Sequence, residues 1–272
     1  MQCACGPSSS LPPFSPESHK LSSLPQIATP SEHRSARIAL LEKEKNLTRA
    51  RDALAAERRN LPIVEVTKPY TFTALDASGK ETSVTLLDLF GSNRQLIVYH
   101  FMFDPAWDAG CSSCSFFADH IPPLEHLASR DTAFVCVSRA PIAKIDAYKK
   151  RMGWTFPWVS SHGNDFNFNF HVSQDANIAP VEYNYRNEDE VKAKGLEFQL
   201  KGEMPGHSCF VKGGNGVGEE GKVYHTYSSY ARGGDGMLGT YMWLDMTFLG
   251  RQDGKAAGGL GFPRRDEYEK RD

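Results

Sequence analysis

The chain has 272 residues, a formal net charge of −2 and 40% hydrophobic residues, which fits one globular domain with an added arm. No apolar run approaches the ~20 residues of a membrane-spanning helix, so no membrane partner is expected. The near-neutral charge argues against a nucleic acid as the main partner. Six cysteines are too few for a disulfide-stapled secreted scaffold, and we predict a cytoplasmic protein.

The beginning of the chain contains two segments of different composition. Residues 1–30 are rich in Ser and Pro and are predicted to be a disordered leader. Ser31–Asn60 is predicted to be a helix capped by Ser31, because it is rich in Ala, Leu, Glu, Lys and Arg and lacks Gly and Pro. Its apolar stripe is thin, so we expect the helix to lie across the domain or against a partner, including a second copy in a homodimer.

From Ile63 onward the pattern alternates between strands and helices. Strands are predicted at Ile63–Leu75, Thr82–Leu86, Gln95–Phe103, Thr132–Val137, Pro157–Ser160, Cys209–Lys212 and Val223–Tyr227. Helices are predicted at Ser115–Ala128, Ile142–Met152 and Met237–Phe248, and a loop at Asn164–Val172. Alternating strands and helices imply right-handed parallel crossovers in an α/β sheet, and the last two strands form a hairpin.

A pair of cysteines, Cys111 and Cys114, follows the strand Gln95–Phe103 and opens the helix predicted from Ser115. A dithiol at a strand-to-helix junction is the thioredoxin arrangement. Unpaired amides and partial positive charge at a helix start stabilise a thiolate, so the pKa of Cys111 is expected to fall below the ~8.5 of a free thiol. Cys114, one turn along, is placed to close a disulfide. This chemistry requires no bound cofactor.

The same cysteine spacing has two other interpretations. It can be half of a zinc site, but no second Cys-x-x-Cys exists, and His207 and Cys209 would complete one only through the tertiary fold. The thiols can also be inert, as we predict for Cys136 inside the strand Thr132–Val137. Spacing and context favour redox chemistry, so no metal is expected.

Other residues are candidates for tuning the dithiol or binding its substrate. His207 precedes a core strand, and an imidazole there would stabilise a thiolate as a charged or hydrogen-bonding group; its alternative is a core position. Arg139 ends a core strand and is a second candidate cation, with a surface salt bridge as its alternative. Five aromatic residues are candidates for an apolar substrate groove, although aromatic side chains mostly serve as core and rim. They are Trp107, Phe116, Phe117, Tyr227 and Tyr230.

Several blocks of the sequence resemble the thioredoxin-like "domain of unknown function 899" family, described as predicted dithiol–disulfide oxidoreductases related to peroxiredoxins. The blocks are Glu42–Pro62, His100–Asp119, Ser138–Trp154, Ser160–Phe170 and Val223–Gly233. The resemblance spans about Ser31 to Asp253. It implies an α/β thioredoxin-like fold, a central mixed sheet flanked by helices, with an N-terminal helical extension and a redox centre at Cys111 and Cys114.

The sequence departs from better-known relatives of that family at three points. The dithiol lacks the Gly-Pro spacer and the preceding Trp of thioredoxin. The Pro and Thr that precede a peroxiredoxin's reactive cysteine are replaced by Asp104 and Asp108 at the same offsets from Cys111. Thioredoxin has a cis-proline before its third core strand, and Pro205 is the nearest proline here.

These observations define an expected organisation and function. The expected segments are a leader at 1–30, a helix at 31–61, a thioredoxin-like domain at 62–252 with an insertion near 179–206, and a charged tail at 253–272. The expected function is thiol–disulfide exchange, with Cys111 attacking and Cys114 resolving. Its partners would be a disulfide or peroxide substrate and an external thiol reductant. The alternatives are a peroxiredoxin-like peroxidase and a thioredoxin-fold accessory protein that binds an organic metabolite in a biosynthetic pathway.

Overall fold

The computed structural model describes residues 26–252 and 261–269. The described chain divides between Pro62 and Ile63 into two compact units. The predictions for the leader at 1–30 and the tail at 253–272 lie outside the described residues, apart from residues 26–30 and 261–269.

The first unit contains a single long helix, α1 (Pro30–Arg59). Its cap is Thr29 instead of the predicted Ser31: the Thr29 Oγ1 accepts from the Glu32 amide, and the Glu32 carboxylate accepts from the Thr29 amide at 2.8 Å. This reciprocal pair is a capping box, which satisfies two amides that the helix leaves unpaired. No residue of α1 is buried, so the thin apolar stripe of this helix is exposed.

The second unit contains twelve strands and six helices in the described residues. The strands are β1 (Val64–Glu65), β2 (Thr71–Leu75), β3 (Glu81–Thr85), β4 (Gln95–His100), β5 (Thr132–Ser138), β6 (Trp158–Ser160), β7 (Ser173–Gln174), β8 (Glu182–Tyr183), β9 (Arg186–Asn187), β10 (Gly202–Glu203), β11 (Gly206–Lys212) and β12 (Val223–Tyr230). The helices are α2 (Ser112–Ala118), α3 (Leu124–Ala128), α4 (Ile142–Met152), α5 (Phe166–Asn169), α6 (Glu188–Ala193) and α7 (Gly239–Leu244). None of the helices in the described part of the chain combines the length and apolar composition that crossing a bilayer requires.

Eight strands form one sheet in the order β1-β12-β11-β4-β5-β6-β2-β3. The central strands β4, β5 and β6 are parallel, whereas β11 runs antiparallel to both β4 and β12. The order β12-β11-β4-β5, with α2 and α3 between the two parallel strands, is the thioredoxin-like core. The expected fold class, a central mixed sheet flanked by helices, is therefore confirmed.

The central strand β4 is covered on both faces, which explains its nearly continuous apolar sequence. Successive side chains of a strand point to opposite faces. Leu96 and Val98 accordingly belong to one buried cluster, which includes Phe166 of α5. Tyr99 belongs to the other, which includes both cysteines of the dithiol. The sheet thus presents one face of β4 to the dithiol.

The prediction of a single helix at Ser115–Ala128 is wrong. The segment contains two short helices, α2 and α3, separated by residues that include Pro122 and Pro123. Proline lacks an amide donor and restricts the residue before it, so two consecutive prolines end one helix before the next begins. The first helix also begins earlier than predicted, directly after Cys111.

Other boundaries differ from prediction as well. The last helix is shorter than Met237–Phe248, because a 3₁₀ segment, Ala231–Met237, precedes α7. That segment contains three glycines, which disfavour a regular α-helix. The predicted loop Asn164–Val172 contains α5, whose aromatic side chains are buried. Both hairpin strands are longer than predicted, β11 at its start, where Gly206 pairs with His100 of β4, and β12 at its end, where Tyr230 pairs with Gly206.

Candidate active site at the dithiol

The dithiol lies at the end of β4, where a loop turns the chain into α2. Cys111 is the N-cap residue of α2, and its amide donates to the Met102 carbonyl at 3.1 Å. Cys114 lies in the first turn of the helix. Both thiols are free, with 9% of Cys111 and 2% of Cys114 exposed. The first cysteine is therefore the more accessible of the two.

The groups around the sulfur of Cys111 lower its pKa to about 7. The largest cause is the hydrogen bond that the Cys114 thiol donates to it. Burial opposes this effect, while the amides of Cys114 and Ser113 and the positive charge of Arg264 add to it. These amides are free to donate because the first amides of a helix have no intrahelical acceptor. Cys111 is thus the thiol that ionises near neutral pH.

The environment of Cys114 has the opposite effect. Burial is the main cause that raises its pKa, and the neighbouring Cys111 raises it further. Two donors act against this increase: the Tyr99 hydroxyl and the Met102 amide, which lies 3.4 Å from the Cys114 sulfur. Cys114 is therefore a protonated thiol with hydrogen-bond donors already directed at its sulfur.

Tyr99 is a site residue that the sequence reasoning missed. Its side chain is 1% exposed, and its hydroxyl hydrogen-bonds to Cys114. Burial raises the pKa of Tyr99 well above its usual value, so the hydroxyl remains a donor. The only signal in the sequence was a single tyrosine after the aliphatic run Leu96–Val98 of this strand.

His207 lies opposite Tyr99 in the pairing of β4 with β11, and the two rings stack at 4.9 Å with 10° between their planes. Phe117 packs against the imidazole from the helix side. Burial lowers the pKa of His207 to about 4, so the ring is neutral at pH 7 and is not the charged imidazole considered from the sequence. Within the described residues neither ring nitrogen has a hydrogen-bond partner. The structure connects His207 to the dithiol through Tyr99.

Arg139 pairs with carboxylates. Its guanidinium donates to Glu203 at 2.7 Å and lies 4.0 Å from Asp104. The Glu203 side chain is 1% exposed, and burial raises its pKa while Arg139 acts to lower it. An ionised carboxylate that deep requires a cation beside it. For Arg139 the structure therefore shows the alternative role, a salt bridge, although its partner Glu203 is buried and not on the surface.

The structure brings together only some of the five aromatic residues predicted to line a groove. Trp107 and Phe117 pack against the cluster that contains the dithiol. Phe116 belongs to a different cluster, formed with the last helix. Tyr230 lies in a third cluster beside the 179–206 segment, and Tyr227 lies opposite Cys209 in the hairpin.

Arg264 is a second residue of the candidate site that the sequence did not reveal, because it lies in the segment predicted as a charged tail. Its guanidinium donates to the Gly110 carbonyl at 2.7 Å and to the Tyr148 hydroxyl at 2.9 Å. Gly110 has no room for a side chain, since a Cβ would lie 2.6 Å from the ring of Phe101 and 2.7 Å from that of Tyr148. No local pattern could reveal this contact, because 154 residues separate the two partners.

Two further observations bear on the sequence predictions. Among residues 26–252 and 261–269, no group of three or more His, Cys, Asp and Glu side chains is placed to hold a metal ion. The peptide bonds of the same residues are all trans, including the bond before Pro205.

The fold and the dithiol together define a thioredoxin-like protein with a Cys-x-x-Cys pair at the start of a helix. The sequence model of a family described as "Bacterial protein of unknown function (DUF899)" matches residues 22–268. The chain belongs to this family, in agreement with the resemblance of its sequence blocks.

Comparison with solved structures gives likenesses to peroxiredoxins. A mutant of PrxQ from Xylella fastidiosa is 14% identical, with 65% of this chain and 89% of that chain covered and a TM-score of 0.37. A peroxiredoxin Q mutant from Xanthomonas campestris is 17% identical, with 63% of this chain and 90% of that chain covered and a TM-score of 0.36. Peroxidoxin BcpB from Mycobacterium tuberculosis is 14% identical, with 65% of this chain and 96% of that chain covered and a TM-score of 0.34. No curated protein gives a significant match. At these scores we draw no inference about activity from the likenesses.

Proposed function

We propose that this protein is a thiol–disulfide oxidoreductase in which Cys111 attacks the substrate and Cys114 resolves the intermediate. The observation that carries the proposal is the set of donors directed at one sulfur. Cys111 is the N-cap of α2, and the neighbouring Cys114 thiol and the amides of Ser113 and Cys114 lower its pKa to about 7. A thiolate is the nucleophile in thiol exchange, and this arrangement stabilises one near neutral pH.

The proposed reaction transfers two electrons from the dithiol to a disulfide. The Cys111 thiolate attacks one sulfur of the substrate, the substrate S–S bond breaks, and the first half of the substrate leaves as a thiolate. Cys114 then loses its proton to solvent and attacks the Cys111 sulfur. The mixed disulfide breaks, the second half leaves as a thiolate, and a Cys111–Cys114 disulfide remains. An external thiol reduces this disulfide and restores the dithiol.

The hydrogen bonds of Cys114 suit the second step. Cys114 has a raised pKa because it is buried, so its deprotonation costs free energy at neutral pH. The Tyr99 hydroxyl and the Met102 amide both donate to its sulfur and reduce that cost. Forming the mixed disulfide also removes the Cys111 thiolate, whose negative charge disfavours a second thiolate beside it.

A hydroperoxide is a second candidate substrate, favoured by the limited accessibility of Cys111. Only 9% of this residue is exposed, which admits a small oxidant more readily than a protein disulfide. The Cys111 thiolate would attack the outer peroxide oxygen, the O–O bond would break, and an alcohol or water would leave. The resulting sulfenic acid would condense with Cys114 to form the same disulfide and release water.

Comparing Cys111→Ser with Cys114→Ser tests the proposal, in a background where Cys3 and Cys5 are Ser. The probe is the aromatic disulfide 5,5′-dithiobis(2-nitrobenzoate), which releases a coloured thiolate at each exchange step. The unchanged dithiol should release two equivalents and form a Cys111–Cys114 bridge that peptide mass spectrometry detects. Cys114→Ser should release one equivalent and retain the other half as an adduct on Cys111. Cys111→Ser should show no fast release.

The other interpretations predict different outcomes. Inert thiols would give equally slow release in both variants. A structural zinc site would give bound zinc in the purified protein and equal loss of folding in both variants. Trapping on Cys111→Ser but not on Cys114→Ser would reverse the assigned roles. Faster oxidation of Cys111 by hydrogen peroxide than by the aromatic disulfide, with a sulfenic acid trapped by dimedone in Cys114→Ser, would select the peroxide reaction. Cellular function that survives loss of both cysteines would select the accessory-protein alternative.

A further inference from the structure

We infer that the C-terminal segment, residues 261–269, is part of the active site and that Arg264 is the cation that positions Cys111 and stabilises its thiolate. This inference rests on the proposed function, because it concerns the reactivity of Cys111. Three independent observations support it: the anchoring of the segment, the hydrogen bonds that link Arg264 to Cys111, and the distribution of charge around the site.

The segment is fixed to the body of the protein on both sides of Arg264. Before it, the ring of Phe262 stacks on Phe116 of α2, with 4.2 Å between centroids and 2° between planes. After it, Asp266 accepts from the Arg151 guanidinium of α4 at 2.7 Å. A bidentate contact between arginine and a carboxylate fixes direction as well as distance, and Arg151 makes two hydrogen bonds to Asp266. Arg264 is therefore held between the dithiol helix and α4.

A continuous path of hydrogen bonds links Arg264 to the backbone of Cys111. Arg264 Nε donates to the Tyr148 hydroxyl at 2.9 Å, and Tyr148 lies 2.7 Å from the hydroxyl of Ser115. Ser115 in turn donates to the Cys111 carbonyl at 2.7 Å. Because Ser115 uses its proton on that carbonyl, Tyr148 is the donor to Ser115. Each member of this path is buried or half-buried, so the Cys111 carbonyl is held in one orientation.

The same guanidinium fixes the peptide that precedes Cys111. Arg264 Nη2 donates to the Gly110 carbonyl at 2.7 Å and Nε at 3.2 Å. The other end of that peptide, the Cys111 amide, donates to the Met102 carbonyl at 3.1 Å. Because both ends of this peptide are hydrogen-bonded, the backbone that carries the Cys111 side chain is held in place, as a nucleophile needs.

The charge of Arg264 lies close to the dithiol and is partly shielded from water, since 14% of its side chain is exposed. Its positive charge lowers the pKa of Cys111. One carboxylate, Glu267, pairs with it at 2.9 Å, but Arg151 shares that carboxylate at 3.1 Å. The other charged or titratable groups around the segment and the dithiol include Asp266, Arg265, Tyr268, Glu269, Asp119, Tyr148, Lys144, Asp104, Asp108, Cys114 and Tyr99.

The test measures the pH dependence of Cys111 alkylation by iodoacetamide in the full chain, with Cys3 and Cys5 replaced by Ser and the modified peptide identified by mass. Arg264→Gln should move the midpoint upward by about half a pH unit, because an opposite charge beside the site favours the charged form of the thiol. Arg264→Lys keeps the charge and should remain within about 0.2 units of the parent protein. Arg265→Gln is the matched control, since Arg265 is the neighbouring cation but pairs with Asp119, and it should leave the midpoint unchanged.

Each outcome bears on one of the two proposals. An Arg264→Gln midpoint equal to that of the parent protein would overturn the inference while leaving the oxidoreductase proposal intact. A Lys variant shifted as far as the Gln variant would overturn the role of the charge. If circular dichroism shows that the Gln variant is unfolded, the Lys variant decides: a parent-like midpoint supports the inference and a raised one overturns it. A parent midpoint at or above that of free cysteine would refute the proposed function itself.

Discussion

The four free thiols of the described residues lie in two contrasting regions, the helix start at the dithiol and the central sheet. Cys136 in β5 and Cys209 in β11 are buried or half-buried, and burial raises the pKa of both, that of Cys209 to about 11. Cys111 is buried as well, yet its pKa falls to about 7. Burial alone therefore does not explain why the pKa of Cys111 falls while those of Cys136 and Cys209 rise.

The difference comes from the backbone amides near each sulfur. In the sheet, backbone amides donate to carbonyls of neighbouring strands, and the amide of Cys136 itself donates to the Pro157 carbonyl. At a helix start the first amides have no acceptor within the helix. Those of Ser113 and Cys114 can therefore donate to the Cys111 sulfur. Secondary structure thus decides which buried cysteine has a lowered pKa, because it decides where unpaired donors remain.

The largest expected effect is selective alkylation of Cys111 over Cys209 in the folded protein. At pH 7, pKa values of about 7 and about 11 favour the Cys111 thiolate by ~5,000-fold. The higher intrinsic nucleophilicity of the more basic thiolate returns a factor of about 50, leaving about 100-fold in rate. The Cys111 rate should rise with pH and level off above its pKa, whereas the Cys209 rate keeps rising. Peptide mapping after iodoacetamide pulses measures both, and equal rates would contradict the contrast between the two regions.

A smaller effect should separate two substitutions of Cys114. Cys114→Ala removes the thiol that donates to Cys111, which is the largest cause of its lowered pKa. Losing such a donor should raise the pKa by about one unit and, after the higher nucleophilicity of the more basic thiolate is counted, slow alkylation at pH 6 about threefold. Cys114→Ser retains a hydroxyl donor and serves as the matched control, with a smaller change expected. If alanine and serine variants alkylate at the same rate, the backbone amides alone stabilise the thiolate.

The smallest effect should come from removing the long helix. Residues 1–60 contain no buried side chain within α1, and we propose that this helix supports packing or dimerisation rather than thiol chemistry. Deleting residues 1–60 should leave the Cys111 alkylation rate within about twofold. Light scattering of the same samples should show the change in assembly or, failing that, thermal unfolding should show a change in stability. Loss of thiol reactivity in a folded truncation would contradict this proposal.

The sequence predicted the elements that depend on local patterns. Helix α4 was expected at Ile142–Met152 and is found there, because Pro141 and the spacing of its apolar residues define both ends. The dithiol was also predicted correctly between a strand and a helix, because the apolar run before it and the helical pattern after it are both local. Pro122 and Pro123 also indicated the break between α2 and α3, although the apolar periodicity of the segment favoured a single helix.

The rest of the candidate site depends on contacts that no local pattern encodes. Tyr99 reaches Cys114 only because β4 presents alternate residues to the dithiol face. Arg264 reaches Gly110 across 154 residues of chain. The charge of His207 could not be derived either, since it depends on how completely Tyr99 and Phe117 enclose the ring. Position along the chain placed Tyr99 in a core strand and His207 before one, but it did not show which atoms they contact, and it did not place Arg264 in the site.

The antiparallel run of β11 beside β4 has a practical consequence for labelling the protein. Gly206 pairs with His100 at the dithiol end of the sheet, and Val211 pairs with Gln95 at the other. At about 3.3 Å per residue, the hairpin connection that follows β11 lies roughly 17 Å or more from the level at which the dithiol loop begins. Glu220 and Gly221 in this connection are exposed. An epitope or fluorescent peptide inserted between them would allow the protein to be captured or followed while its thiols remain free to react.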